Sequence, residues 1–444
     1  MESKHSNKNL KQDLGLLSAM ALVVGMVIGS GIFMKPGIVL AAAGDSTMGL
    51  IAWALGGMIA LAAGLTVAEL GAQIPKTGGV YVYLTEVYGQ LWGYLFGWVQ
   101  TVIYGPATIG ALGLYFGSLV LPFFSLSEEL KLPIAIATVI FMAGLNCLGA
   151  KYGGFIQTAA TIGKLIPILI IAVFGLWKGN GQILAMTSGV SASAGMGAAI
   201  LATLWAYDGW VGVSFVAGEM KNPSRQLPQA IVIGLGIVIL AYLSINFALL
   251  HVLPASEIVK LGKLAAGTTA NLLFGEIGGK LINIGILVSI FGALNGYILT
   301  NARVPYAMAL RGQLPGAKFL AQIHPSFSTP VNAMILQVVL AILLMIWWDP
   351  DSLTDMAMFV IWAFYITAFV AVFILRRRCP YGERPYSVPG YPIIPVIAII
   401  GALYIIISTM ITKPTDSLYA IGTTLVGLPV YFMLRRPQAN QPEN

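Results

Sequence analysis

The stretch "VVGMVIGSGIFMKPG", residues 23–37, begins as a membrane-spanning helix, but small residues interrupt it near its midpoint. Gly29, Ser30 and Gly31 form this interruption within an otherwise apolar run. Backbone N–H and C=O groups that leave a helix cannot face lipid, so they must face protein or a water-filled cavity. The sequence therefore predicts a helix that breaks inside the membrane and leaves backbone groups free to bind a ligand.

The composition is that of an integral membrane protein. Of the 444 residues, 58% are hydrophobic and 9% are charged, whereas soluble domains carry roughly 25% charged residues. The net charge of +7 does not indicate nucleic-acid binding, because the basic residues lie between apolar runs. The two cysteines, Cys147 and Cys379, fit neither a disulfide framework nor a metal site. We predict no metal and no cofactor.

Apolar segments predict twelve membrane spans in an all-α fold. They lie near 15–40, 47–72, 84–119, 132–150, 155–177, 196–217, 227–253, 279–305, 330–348, 355–375, 391–411 and 416–434. An acidic stretch, "DPDSLTD" at 349–355, is predicted to be an outer loop.

The distribution of basic residues predicts the orientation. With both termini inside, 16 of the 24 basic residues are cytoplasmic: Lys4, Lys8, Lys11, Lys76, Lys151, Lys221, Arg225, Arg303, Arg311, Lys318, Arg376, Arg377, Arg378, Arg384, Arg435 and Arg436. Seven are outside: Lys35, Lys131, Lys178, Lys260, Lys263, Lys280 and Lys413. Because positive residues favour the cytoplasmic side, we expect a multi-pass plasma-membrane protein, in a bacterial inner membrane, with cytoplasmic N- and C-termini.

A second interruption occurs in the sixth predicted span. The segment "GAAILATLWAYDGWVGVSFVAGEM", 197–220, breaks at "AYDG", Ala206–Gly209. Paired interruptions at corresponding places in two sets of five spans indicate a transporter built from inverted repeats, with its substrate site at the membrane midplane. We predict one transmembrane domain over 1–444, with a first repeat at 15–177, a second at 196–375 and two accessory helices at 391–434.

The chemistry of the two breaks suits an α-amino acid. The amides at Ser30 and Gly31 begin the outer half of span one, where a helix N-terminus favours a carboxylate. The carbonyl groups of Val27 and of Trp205–Tyr207 can accept hydrogen bonds from an ammonium group. The alternative is that "GSG" is only a close-packing face for another helix.

At these residues the chain resembles a known family. "VVGMVIGSGIF", "LWAYDGW" and "GEMKNPSRQLPQAI" are similar to the amino acid–polyamine–organocation superfamily, and the resemblance extends over essentially the whole chain. Within the superfamily, the chain looks most like bacterial relatives of the L-type amino acid transporters, particularly the serine/threonine exchanger type. The resemblance implies a leucine-transporter-like fold, with ten core helices in two inverted repeats and two further helices. It also implies exchange of L-amino acids by alternating access.

The resemblance also implies roles for individual residues. Gly29, Ser30 and Gly31 would bind the substrate carboxylate, the unwound part of span six would bind the amine, and Trp205 would gate the outer vestibule. Mammalian L-type relatives bond to a glycoprotein through a cysteine in an outer loop. The matching loop here, "LPFFSLSEELKL" at 121–132, has no cysteine, so no covalent heavy-chain subunit is expected.

Lys164 lies about midway along span five, where a charge costs at least about 2.5–3.5 kcal/mol. The resemblance to sodium-independent members implies that the lysine takes the place of a sodium ion. Its ammonium group would bind carbonyls near Gly25–Val27 and Ser289. Alternatively, Lys164 could carry a coupled proton, because burial disfavours the charged form. Tyr242, on a helix that lines the site in relatives, joins Lys164 and Ser289 as a predicted coupling residue.

Asp208 has three competing interpretations. It could cap the inner half of span six, which the preference of Asp for N-caps favours; it could pair with a cation such as Lys164; or it could contact the substrate amine. Tyr104 lies on a helix that lines the site in relatives, and Asn295 and Tyr297 are candidate selectivity positions.

These observations predict a sodium-independent exchanger of small neutral L-amino acids such as serine, threonine and alanine. The alternatives are a proton-coupled symporter and an exchanger of larger neutral amino acids. A channel would usually present a filter or a ring of charge, and a sensor would carry a soluble output domain. An enzyme is disfavoured because no nucleophile–base pair is recognisable in the sequence.

Overall fold

The computed structural model describes residues 14–148, 150–179, 195–380, 382 and 384–434. Over these residues the fold is helical, and extended pairing is limited to a single bridge between Leu14 and Met220. Some predictions fall outside the described residues, namely those on the two chain termini and on Lys4, Lys8, Lys11, Arg435, Arg436 and the side chain of Lys151.

Within the described residues, ten helical segments are long and apolar enough to cross a membrane, and two shorter apolar helices complete a set of twelve spans. Spans 1 to 6 comprise Leu16–Val27 with Gly31–Met34 and Pro36–Ala43; Ser46–Gln73; Gln90–Val99 with Gln100–Tyr104 and Gly105–Phe123; Lys131–Cys147; Ala150–Lys178; and Gly195–Ala206 with Gly212–Phe215. Spans 7 to 12 comprise Pro223–Val252; Ala265–Asn301; Val331–Trp347; Pro350–Arg378; Ile393–Thr412; and Pro414–Leu434. Short helices lie between or beside spans at Val80–Tyr88, Glu128–Leu130, Ala217–Glu219, Ala255–Leu261, Gly262–Leu264, Arg303–Leu310 and Ala317–Leu320. The predicted all-α membrane fold is confirmed.

The ends of the spans follow from local sequence chemistry. Span 1 ends at Gly44, whose φ of 90° is in the left-handed region that glycine tolerates. Asp45 then caps span 2, because its carboxylate accepts a hydrogen bond from the Met48 N–H at 2.7 Å.

Three predicted boundaries need correction. Residues 84–88 belong to the connecting helix Val80–Tyr88, and span 3 starts after Gly89. The helix of span 8 begins at Ala265, with a kink at Gly275. The acidic stretch 349–355 is not a loop, because the Asp349 carboxylate accepts from two backbone N–H groups and caps a helix that starts at Pro350.

Spans 1 and 6 are both discontinuous, as predicted. The first helix of span 1 ends at Val27 and the chain resumes a helix at Gly31. In span 6 the helix ends at Ala206 and resumes at Gly212. Gly209 lies between the two halves with φ of 106°, a conformation that other residues rarely adopt.

The two breaks meet in the centre of the bundle. A β-carbon on Gly31 would lie 2.5 Å from the Ala206 Cα, and one on Gly29 would lie 2.9 Å from the Ala293 Cβ of span 8. Small residues therefore bring the backbones of spans 1, 6 and 8 into direct contact. The freed polar groups of both breaks consequently share one region.

Candidate functional site

The first component of the site is the start of the C-terminal half of span 1. Gly31–Met34 and Pro36–Ala43 are joined through Lys35, which is itself in a helical conformation. The first N–H groups of a helix have no partner within the helix, so they can bind an anion. The Ser30 hydroxyl is 1% exposed and has no hydrogen-bond partner among the described residues. The backbone amides of Ser30 and Gly31 and the Ser30 hydroxyl are thus the buried donors available to an anion, whereas the Gly29 N–H donates to the Val27 carbonyl at 2.9 Å.

The second component is a pair of backbone carbonyls. The Tyr242 hydroxyl lies 2.7 Å from the Val27 carbonyl oxygen and 2.8 Å from the Ala206 carbonyl oxygen. A hydroxyl has one proton and donates to one of the two at a time, so the other carbonyl can accept from a ligand. Val27 and Ala206 are thereby brought together, as two acceptors at one point where the breaks meet.

The two aromatic residues at the break in span 6, Trp205 and Tyr207, have different surroundings. The Tyr207 ring packs away from the break, with its centroid 4.9 Å from that of Tyr242 and 6.0 Å from that of Trp53. Trp205 is the second-to-last residue before the break and is 7% exposed, and its carbonyl accepts from the Asp208 N–H at 3.2 Å. Tyr207 therefore contributes backbone rather than ring to the site.

Lys164 reaches span 1 from span 5. Its side chain is fully buried, and the Nζ atom donates to the carbonyl oxygens of Gly25 and Ile28, each at 2.6 Å. The Ser289 hydroxyl of span 8 lies 3.3 Å from the carbonyls of Ile28 and Gly29. None of the ion pairs in the described part of the chain includes Lys164, so backbone carbonyls provide its hydrogen-bond acceptors. Lys164 and Ser289 together bind the carbonyl groups at the C-terminal end of the first helix of span 1.

Asp208 is anchored by two tyrosines. Its Oδ2 atom accepts from the Tyr104 hydroxyl at 2.5 Å and from the Tyr297 hydroxyl at 3.0 Å. The Oδ1 atom is buried and has no partner among the described residues. Spans 3, 6 and 8 therefore converge on one carboxylate that retains an unused acceptor.

This arrangement overturns the favoured interpretation of Asp208. The second helix of span 6, Gly212–Phe215, begins after Val211 and has no side-chain cap. The prediction that Asp208 caps this helix is therefore wrong. The aspartate is several residues ahead of that helix start, and phenolic hydroxyls provide its donors instead. Pairing with Lys164 is also not found among the described ion pairs.

Asn295 belongs to a different polar cluster. Its Oδ1 atom accepts from Asn146 of span 4 at 2.9 Å, and its Nδ2 atom donates to Gln157 of span 5 at 2.8 Å. Both ends of the amide are therefore used between spans 4, 5 and 8. We correct the prediction accordingly and leave Asn295 out of the substrate site. Asn146 and Gln157 were not predicted from the sequence. Each is an amide side chain within an apolar span, and this pattern could have indicated a buried polar contact.

Two ion pairs accompany the site on opposite sides of the bundle. Lys35 contacts Asp351 at 2.9 Å, and the Tyr115 hydroxyl donates to the same carboxylate oxygen at 2.6 Å. Elsewhere, Arg303 contacts Glu219 at 3.0 Å, and both side chains are buried. Ser30 and Asp208 are themselves only 1% and 2% exposed. Residues of both breaks are therefore buried in this structure. Neither ion pair was predicted from the sequence.

Known proteins resemble this chain over almost its full length. A sequence model of the family described as "Amino acid permease" matches residues 14–433. The serine/threonine exchanger SteT of Bacillus subtilis (strain 168) is 54% identical over 98% of this chain and 100% of its own length. The b(0,+)-type amino acid transporter 1 of Homo sapiens is 32% identical, over 96% of this chain and 88% of its own. The Asc-type amino acid transporter 1 of Mus musculus is 29% identical, over 96% and 81%. These matches confirm the resemblance that the motifs of spans 1 and 6 indicated, and the chain belongs to the amino acid permease family.

Proposed function

We propose that this protein exchanges small neutral L-amino acids, such as serine, threonine and alanine, across the membrane by alternating access and without sodium. Membership of the permease family makes it a transporter rather than an enzyme. The observation that carries the proposal is the meeting of two helix breaks, with backbone donors on one and carbonyl acceptors on both, in a buried space. The similarity to a serine/threonine exchanger supports the small substrates.

The site binds the zwitterion through its two ends. Ser30 and Gly31 bind the carboxylate through their backbone amides and the Ser30 hydroxyl, next to Gly29, whose own N–H donates to the Val27 carbonyl. The carbonyls of Val27 and Ala206 bind the ammonium group, and the Trp205 ring covers the substrate from the outer side. Burial of these groups makes each hydrogen bond to a charged substrate stronger than it would be in water.

Lys164, Ser289 and Tyr242 couple this site to the surrounding scaffold. The Lys164 ammonium takes the place of a bound cation, since it carries one positive charge against the carbonyls of Gly25 and Ile28. Because that charge is covalently attached, no sodium ion is needed to hold the carbonyl end of the inner helix.

The proposed orientation places both termini in the cytoplasm of a bacterium. Arg376, Arg377 and Arg378 end span 10, which supports a cytoplasmic position for that end. The proposed repeats are 15–177 and 196–375, followed by accessory helices within 391–434. The loop at 121–132 offers no cysteine, so we propose that the protein works in lipid without a covalently bound heavy chain.

Counterflow in proteoliposomes tests the exchange mechanism. Vesicles loaded with unlabelled serine should accumulate labelled external serine, empty vesicles should not, and replacing sodium with choline should leave the rate unchanged. A proton-coupled symporter would instead accumulate serine in empty vesicles under a pH gradient alone. Competition by leucine equal to that by alanine would favour an exchanger of larger neutral amino acids.

Asp208 supports a second, more specific proposal. Its bonds to Tyr104 and Tyr297 place the carboxylate towards spans 3 and 8, whereas Ala206 faces Tyr242 of span 7. The carboxylate and the carbonyl pair are therefore held by side chains of different spans. We propose that the unused Oδ1 atom accepts a hydrogen bond from the side-chain hydroxyl of serine or threonine.

The isosteric pair threonine and valine tests this role. We expect the wild type to prefer threonine by at least about tenfold in kcat/KM, because valine would leave a buried acceptor unpaired. Asp208→Ala should bring that ratio to within about twofold while alanine exchange continues. An equal loss of threonine, valine and alanine exchange in purified, folded Asp208→Ala would assign Asp208 to the ammonium group or to structure. A preference for L-2,3-diaminopropionate over serine would assign it to cationic side chains.

A further inference from the structure

Span 3 contains a wide, π-helical turn at Gln100–Tyr104. The Gly105 N–H donates to the carbonyl of Gln100, five residues earlier, instead of the usual four. The next residue, Pro106, has no N–H to continue this pattern. The carbonyl of Thr101 therefore lacks a donor from its own helix.

Gln337 of span 9 supplies the missing donor. Its Nε2 atom lies 2.9 Å from the Thr101 carbonyl oxygen, and the side chain is 1% exposed. Gly105 leaves room for this amide, because a β-carbon at that position would lie 2.1 Å from the Gln337 Oε1 atom. The wide turn and the glutamine thus fit each other in both hydrogen bonding and shape.

Asn301 of span 8 supports the opposite side of the turn. Its Oδ1 atom accepts from the Gln100 amide at 3.3 Å, and its Nδ2 atom lies 3.5 Å from the Gly105 carbonyl oxygen. These longer contacts place a second buried amide against the turn. Gln337 makes the shorter bond and is the stronger candidate for a functional test.

The turn determines where Tyr104 points. Tyr104 is its last residue, and the hydroxyl donates to Asp208 at 2.5 Å. One extra residue in a helical turn rotates the following side chains by about 100° relative to the preceding ones. A regular α-helix through this segment would therefore direct position 104 to another face of span 3.

We propose that Gln337 is a positioning residue for substrate selection, which it influences through the wide turn, Tyr104 and Asp208. This inference rests on the proposed function, in particular on the role of Asp208. Gln337 lies on span 9, outside both helix breaks, and its contact is to the backbone of span 3. The residue therefore acts on the selectivity end of the site without touching the amino acid.

Gln337→Leu removes the donor at similar side-chain volume. We expect the threonine-to-valine ratio of kcat/KM in proteoliposomes to fall at least about fivefold, with alanine exchange within about twofold of wild type. Asn146→Leu is the matched control, since it also removes a buried amide that bonds to another span. Asn146→Leu should lower the melting temperature by a similar amount to Gln337→Leu. It should leave the threonine-to-valine ratio of kcat/KM unchanged. If Gln337→Leu does not fold, Gln337→Met, with an unbranched side chain, replaces it.

A double-mutant cycle separates positioning from a general structural effect. In the Tyr104→Phe background, Gln337→Leu should not change the threonine-to-valine ratio further, because both substitutions interrupt the same path. An unchanged ratio in Gln337→Leu alone, or an additional decrease in the double variant, would overturn the inference. Failure of wild-type counterflow would instead reject the proposed function, so the two results are distinguishable.

Discussion

Lys164→Ala is expected to abolish serine exchange while the protein is still made in near-normal amounts. The ammonium group donates to the carbonyls of Gly25 and Ile28, and alanine would leave both without this donor. A hydrogen bond to a charged group contributes about 1.5–3 kcal/mol, so losing both corresponds to a decrease in rate of at least about 100-fold. Assembly is spared because removing an intramembrane charge also removes its insertion cost.

The measurement is counterflow of labelled serine in proteoliposomes, with the amount of monodisperse protein determined in parallel. Lys178→Ala is the control, because Lys178 lies on the same span but is exposed at its end. That variant should exchange serine at the wild-type rate. Wild-type exchange by Lys164→Ala would remove the lysine from the mechanism. Sodium-dependent exchange by the variant would show that the lysine does replace a cation.

Gly31→Ala is expected to have an effect of similar size, for a steric reason. The new β-carbon would lie 2.5 Å from the Ala206 Cα and 2.6 Å from its Cβ. These atoms belong to the second break and cannot move independently of it, so the two helix breaks must separate. Misplacement by about 1 Å can decrease a rate by about 100-fold, and it would affect the backbone groups at both ends of the substrate.

Helix propensity cannot account for this expected loss, since alanine favours a helix more than glycine does. Gly236→Ala on span 7 is the matched control, because no atom lies within 4 Å of its added β-carbon. The control should retain exchange and be at least as stable as the wild type. Full exchange by Gly31→Ala would mean that the two breaks do not need this close approach to bind substrate.

The position of Tyr242 explains how the two breaks are held beside each other. Its hydroxyl lies between the carbonyls of Val27 and Ala206, one from each broken span. A single O–H can satisfy one carbonyl at a time. A substrate ammonium group carries several donors, so it can satisfy the remaining acceptor without displacing the tyrosine.

The two ion pairs near the site differ in their exposure to solvent. The Lys35–Asp351 pair is supported by Tyr115, and the Asp351 side chain is 39% exposed. The Arg303–Glu219 pair has side-chain exposures of 0% and 3%. Opening the second pair to water would gain solvation of both charges, whereas separating them without water would be strongly unfavourable.

The amino-acid sequence is sufficient to infer the membrane class, the two broken spans and the intramembrane position of Lys164. Each of these follows from local information, because long apolar runs need lipid and small residues within them weaken a helix at that point. The acceptors of Lys164 were also accessible to sequence reasoning through the resemblance to sodium-independent members. Its bonds are to Gly25, within the expected Gly25–Val27 segment, and to Ile28, the residue that follows this segment.

The partners of Asp208, Asn295 and Thr101 depend instead on how the spans pack. Asp208 finds its donors 104 and 89 residues away, and the Thr101 carbonyl receives its donor from Gln337, 236 residues away. Most buried polar groups are paired, but any neighbouring span can provide the partner. Helical periodicity is the same in each of these spans and does not specify which faces meet, so the choice depends on packing of the whole bundle.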